Sequence, residues 1–188
     1  VRVIGGRSRG RTLHAPVLPG LRPTSDRVRE AIFDILYSRG GVEGWSVLDL
    51  FAGTGALGIE ALSRGARRAV FVERDRKAAA VIERNLALVA APTQGYGDVE
   101  VVRGEAAAFL RRRREHFDVA LCDPPYAFDG WGEILPLLDA AIVVVESSAG
   151  VPLDDLPLSN LYEVTREYRY GGTLVTLAEG RAGAAAKG

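Results

Sequence analysis

Cysteine is almost missing from these 188 residues. Cys122 stands alone, which rules out an internal disulfide and suits a reducing cytosol. Histidine is as scarce. His14 and His116 are far apart in sequence and, with one thiol, offer no zinc cluster, so no metal is expected. No apolar run approaches the roughly 20 residues that cross a bilayer, and the opening VRVIGGRSRGRTL has no apolar core of the kind a secretory signal carries. A cytoplasmic setting without a membrane partner is the expectation. Net charge is missing too, since 24 Lys and Arg balance 24 Asp and Glu. The balance is uneven along the chain: Val1 to Ser25 holds five arginines (Arg2, Arg7, Arg9, Arg11 and Arg22) and no acid. Arginine's planar fork suits phosphate, so the segment reads either as a contact for a nucleic-acid backbone or as a solvated basic stretch.

What is present fits one compact domain with a substantial core. Residues 1–20 alternate weakly around paired glycines and suggest a small β-rich arm; 21–180 form the main domain and 181–188 a frayed tail. TSDRVREAIFDILYSRG reads as a helix capped by Thr24 or Ser25, with Val28, Ile32, Ile35 and Leu36 on one face. Apolar strands then alternate with helices. Strands are expected at 46–51, 69–73, 99–103, 117–122 and 141–146, with helices over 56–64, 75–90, up to the Arg111–Arg114 run, and 131–140. YEVTREYRY and TLVTLA flank Gly171-Gly172 as a hairpin. The fold class is α/β: a doubly wound, mostly parallel seven-stranded sheet closed by an antiparallel C-terminal hairpin. A monomer is expected.

Sheets of this kind bind ligands beyond the carboxyl ends of their strands. The first strand runs into DLFAGTGALGIEAL, where Gly53 and Gly55 permit a tight turn and close approach of a ligand, and the next helix points free amides at the same place. The second strand ends in Glu73, an acid suited to ribose hydroxyls. Gly53, Gly55 and Gly58 also spell the dinucleotide fingerprint GxGxxG, so an NAD-dependent oxidoreductase is a second reading of the loop. Asp49 tilts the choice, because a carboxylate near the loop repels a pyrophosphate and suits a zwitterionic amino acid or a sulfonium.

The fourth strand leaves through DVALCDPPYAFDG. Proline donates no backbone hydrogen bond, fixes φ, and holds the preceding residue extended. Asp123, Pro124, Pro125 and Tyr126 therefore form a stiff hook with a carboxylate, open carbonyls and an aromatic ring. A strand-ending turn is the plain reading; a clamp for a methyl acceptor is the functional one.

Taken together, DLFAGTGALGIEAL, FVERD and DPPY on strands one, two and four resemble the S-adenosylmethionine-dependent amino-methyltransferases. RVIGGRSRGRTL followed by GLRPTSDRVREAIFDIL narrows the resemblance to the RsmD family of bacterial 16S rRNA guanine-N2 methyltransferases, from Arg2 to about Leu177. The resemblance implies a Rossmann-like class I methyltransferase with a small N-terminal β extension. It also implies S-adenosyl-L-methionine as cofactor and 16S rRNA as partner, within the small ribosomal subunit or an assembly intermediate. Asp123 and the carbonyl of Pro124, stiffened by Pro125, would orient the amine, and Tyr126 would lie on the base. Phe51, Ala52, Gly53, Thr54 and Gly55 would line the cofactor, Asp49 its amino group and Glu73 its ribose. Glu105-Ala106 and Arg74 would flank the adenine, and Thr24, with Asp26, the methionine end. Arg7, Arg9, Arg11, Arg22 and His14 become RNA contacts. Cys122 reads as a packed strand residue, with no base beside it. DPPY also occurs in DNA adenine or cytosine amino-methyltransferases, which stay as an alternative, as does a non-catalytic RNA-binding module.

Overall fold

The computed structural model describes residues 1–15, 25–89, 97–125, 127–148 and 161–181. Helix α1 (Asp26–Tyr37) begins where the Ser25 hydroxyl accepts the Val28 amide, and it turns Val28, Ile32, Phe33, Ile35 and Leu36 inward. Strand β1 (Ser46–Asp49) is buried throughout, and helix α2 (Ala56–Ser63) follows after the glycine turn. The alternation continues with β2 (Arg68–Glu73), α3 (Arg76–Val89), β3 (Asp98–Arg103), α4 (Ala106–Arg112), β4 (Phe117–Cys122), α5 (Trp131–Ile134) and β5 (Ala140–Ser147). A hairpin of β6 (Tyr162–Tyr170) and β7 (Thr173–Gly180) ends it, turning on Gly171 at φ 62°.

The seven strands lie in the order β3-β2-β1-β4-β5-β7-β6. Pairs are parallel from β3 to β5 and antiparallel through β7 and β6. The chain builds outward from β1 to β3, then returns to β4 on the other side of β1, which puts the switch point between β1 and β4. Side chains alternate between two cores. Val47, Phe71, Leu121, Val144 and Val175 pack under α1, α2 and α3; Leu48, Val70, Cys122 and Val145 pack under α4 and α5.

Three details differ from the sequence expectation. The helix expected over 131–140 stops after one turn, at Ile134, because Pro136 cannot donate to the preceding turn. The helix expected to reach the Arg111–Arg114 run ends at Arg112; Arg111 pairs with Glu133, and Arg113, past the helix end, pairs with Glu100 at 2.6 Å and Glu115 at 3.1 Å. In the arm, β pairing over the described residues is limited to one antiparallel bridge, Arg2–Thr12, around a 3-10 turn at Gly6–Ser8.

That arm is built into the domain. Val3 and Leu13 are buried in the core under α1 and α2. The amides of Ile4 and Gly5 donate to the two oxygens of buried Glu60 at 2.8 and 2.7 Å, and the Ser8 amide donates to the Ser63 hydroxyl at 2.9 Å. A Cβ on Gly6 (φ 71°) would lie 1.9 Å from the Ser63 carbonyl oxygen, so only glycine allows this approach. Among the described residues, no helix is long and apolar enough to cross a membrane.

Candidate active site

A cavity of about 1050 Å³ opens over the carboxyl ends of the central strands. Four neighbouring strand ends bring an acid to it: Glu73 at the end of β2, Asp49 at the end of β1, Asp123 after β4 and Glu146 on β5. Period-2 alternation explains why they share one side. Asp49 follows Val47, Glu73 follows Phe71, Asp123 follows Leu121 and Glu146 follows Val144, and those four apolar residues all belong to the core under α1 and α2.

The cofactor-side residues behave in three ways. Phe51, Ala52, Gly53 and Thr54 line the cavity directly. Gly53 and Gly55 have φ of 53° and 76°, the left-handed geometry this turn needs. Gly55 does not line the cavity: its amide closes the turn onto the Ala52 carbonyl at 2.6 Å, and its bare Cα leaves room for Ile82. Glu73 ties the loop together, accepting from the Gly53 amide through one oxygen and the Asp75 amide through the other, both at 2.8 Å. Each carboxylate oxygen has a second lone pair, so Glu73 can still accept from a ligand.

Asp49 is buried, with Oδ2 accepting the Gly58 amide at 2.9 Å, while Oδ1 has no hydrogen-bond partner among the described residues. Burial pushes its carboxyl up to about 7; the Gly58 amide pulls it down, and the charges of Asp123 and Glu73 add to the rise. Such a group calls for a cationic donor. A pyrophosphate fits badly, since Asp49 already holds the Gly58 amide of the helix start and adds repulsion. Gly58 itself is glycine for packing, because a Cβ there would meet the Phe71 ring at 2.3 Å. The dinucleotide spelling thus has a structural cause, and the oxidoreductase reading loses its support. Among the described residues no group of three potential metal ligands occurs.

Glu105, Ala106 and Arg74 also line the cavity; Arg74 and Glu105 are both exposed and lie 3.7 Å apart as an ion pair. Asp26, expected near the methionine end, is turned to Arg2 and Arg29 instead, at 3.4 and 2.9 Å. Ser25 and Val28 line the cavity from that helix start. Thr24 and Arg22 lie outside the described residues.

On the other side, Asp123, Pro124 and Pro125 line the cavity. Tyr126 lies outside the described residues. The Phe128 amide donates to the Pro125 carbonyl at 2.8 Å, a tight turn that returns Phe128 to the cavity. Its ring stands edge-on to Phe51 and Trp131, both at 5.0 Å. Sequence reasoning missed Phe128, Glu146 and the hairpin residues Tyr170 and Thr173, all of which line the cavity. Glu146 had a signal, since it closes AIVVVE as Glu73 closes AVFVE. Cys122 is buried beneath the site, and burial raises its thiol pKa, which makes it a packed residue and a poor nucleophile.

In the arm, Arg7, Arg9, Arg11 and His14 are exposed, and none lines the cavity. Arg11 donates to the Leu88 carbonyl at 2.7 Å. His14 is fixed through its backbone: its amide donates to Oδ1 of buried Asn85 at 2.8 Å, and Asn85 Nδ2 donates back to the His14 carbonyl at 2.9 Å. The same Nδ2 reaches the Thr54 carbonyl of the glycine loop at 2.9 Å. Asn85 therefore connects the arm to the cavity.

Comparison with known proteins agrees with this architecture. The family described as Conserved hypothetical protein 95 matches residues 1–179. Ribosomal RNA small subunit methyltransferase D of Escherichia coli is 39% identical over 84% of this chain and 79% of its own length. The Haemophilus influenzae protein of the same name is 36% identical over 81% of each. The solved structure of Escherichia coli yhhF superposes with a TM-score of 0.80 at 36% identity, covering 97% of this chain and 98% of that one. A Thermus structure, TTHA0928, gives 0.76 at 32% identity, covering 95% and 99%. The chain belongs to the Conserved hypothetical protein 95 family, the RsmD-type rRNA methyltransferases.

Proposed function

We propose that this protein transfers a methyl group from S-adenosylmethionine to the N2 amine of a guanine in 16S rRNA. The observation that carries the reading is one cavity lined at one end by Asp49 and the glycine loop and at the other by the Asp123-Pro124-Pro125 hook. When bound, the cofactor supplies an electrophilic methyl on a sulfonium, whose sulfur keeps the electrons of the broken bond. Asp49 Oδ1 would accept from its ammonium and Glu73 from its ribose, and Ala106, Arg74 and Glu105 would flank its adenine. This donor set suits an amino-acid cation joined to a nucleoside.

An exocyclic amine is a poor nucleophile because its lone pair is delocalised into the base. Asp123 and the Pro124 carbonyl each accept one amine hydrogen, turning the lone pair out of the ring plane and stabilising the positive charge that develops on nitrogen. The prolines hold both acceptors stiff, so little ordering is left for the reaction itself. The cationic nitrogen then loses its proton to water or to Asp123. A base reaches this depth only when flipped out of its stack; Phe128 supplies an aromatic wall for it, and Tyr126 is the second candidate. Exposed Arg7, Arg9 and Arg11, with His14 and Arg22, are proposed to hold the RNA backbone, with the substrate in the small subunit or an assembly intermediate.

Mass spectrometry of 16S rRNA from cells lacking this protein tests the reading: one N2-methylguanosine disappears. Methyl label entering duplex DNA and not small-subunit particles would instead favour a DNA amino-methyltransferase. Asp123→Ala is expected to lower kcat by at least about 100-fold with rRNA affinity nearly unchanged; retained turnover removes the clamp.

A further inference from the structure

Glu146 has no part in the mechanism above, yet it is 8% exposed and lines the same cavity. Its position is specific. In the parallel ladder Cys122 stands opposite Val145, so the next step pairs Asp123 with Glu146. Both follow residues of the same core, Leu121 and Val144, and therefore share a side of the sheet. Neighbouring strands lie about 4.8 Å apart, close enough for two carboxyl groups to reach adjacent donors on one base edge. Beyond Glu146, the β6–β7 turn closes the cavity with Tyr170 and Thr173. Asp49 is one strand further away on the far side of Asp123, and Glu73 a strand beyond that. Glu146 thus belongs to the acceptor end.

Guanine has an N1–H directly beside its N2 amine, whereas adenine and cytosine place a ring acceptor beside theirs. We propose that Glu146 accepts the N1–H of the target guanine while Asp123 and the Pro124 carbonyl hold its N2 amine, which makes Glu146 the residue that selects guanine. This rests on the reading of the cavity as an N2-methylation site. A site built to receive one hydrogen bond rejects an analogue lacking the donor far more strongly than an apolar pocket does, and leaves an adenine with its N1 lone pair against a carboxylate.

The test uses small-subunit particles assembled with either guanine or 2-aminopurine at the target position. 2-Aminopurine keeps the N2 amine but presents an unprotonated N1. Wild-type protein is expected to favour guanine by about 100-fold or more in kcat/KM. Glu146→Gln can donate its amide to the N1 of 2-aminopurine, so the preference collapses to about tenfold or less, with S-adenosylhomocysteine affinity unchanged by calorimetry. A variant that slows both substrates by one common factor, or keeps the full preference, overturns the proposal and leaves Glu146 a structural residue. Should Glu146→Gln not fold, the wild-type ratio alone decides: near-equal use of the two bases also overturns it. Failure of wild-type protein to methylate even the guanine particle sinks the N2-methylation reading itself.

Discussion

At the scale of single residues, Asp49 shows how strongly surroundings set chemistry. Its carboxyl sits at about 7 chiefly through burial, well above the ordinary value of 3.8, so the folded chain holds this proton more tightly than the unfolded one. The contribution of Asp49 to ligand-free stability is therefore fully present below about pH 4 and is lost as pH rises through about 7. Cofactor affinity has the opposite sign, because only ionised Asp49 can pair with an ammonium. S-adenosylhomocysteine is expected to bind more weakly at pH 6 than at pH 8, read by calorimetry. Asp49→Asn removes both dependences: at pH 8 the free protein melts a few degrees higher while affinity drops about tenfold or more. Legibility at this scale was mixed. Asp49, Glu73 and Asp123 are legible because each is an acid closing an apolar strand, Asp49 ahead of the glycine turn and Asp123 ahead of two prolines. Asp26 was read toward the cavity, and buried Arg29 instead draws it away.

At the scale of elements, the strand-to-loop joins were the most readable feature. Strands buried on both faces are continuous apolar runs, and β4 begins and ends at the residues its sequence suggests, Phe117 and Cys122. The contact between α2 and β2 was not readable. Gly58 looked like a ligand-binding glycine, and its actual partner is the Phe71 ring on the strand beneath. Gly58→Ala forces α2 off β2 and is expected to cost about 1–3 kcal/mol, measured by urea denaturation. Since α2 also presents the amide held by Asp49, cofactor affinity falls with it. A variant as stable as wild type would mean that the helix moves freely at this contact. The shortened α5 has a local cause, Pro136, which a reading by apolar spacing alone overlooks.

At the scale of the molecule, Asn85 joins the arm to the cofactor loop through three backbone partners on two segments. Asn85→Leu leaves the buried Thr54 carbonyl unsatisfied, at about 1–3 kcal/mol, and releases the partly buried His14 amide and carbonyl. The expected outcome is faster hydrogen exchange around His14 together with weaker S-adenosylhomocysteine binding. If only one of the two changes, arm and loop are independent. An asparagine in mid-helix looks like a solvent residue until the arm, some 70 positions earlier, is laid over it. The same contrast divides the protein as a whole. Periodicity, turn glycines and the proline hook are local, set by sterics within a few residues, so the α/β class, the loop and the hook were decided by the chain's own order of residues. The strand order that puts Glu73, Asp49, Asp123 and Glu146 side by side depends on covering both faces of the sheet with helices. That balance of burial involves residues far apart in sequence, and only the tertiary structure settles it.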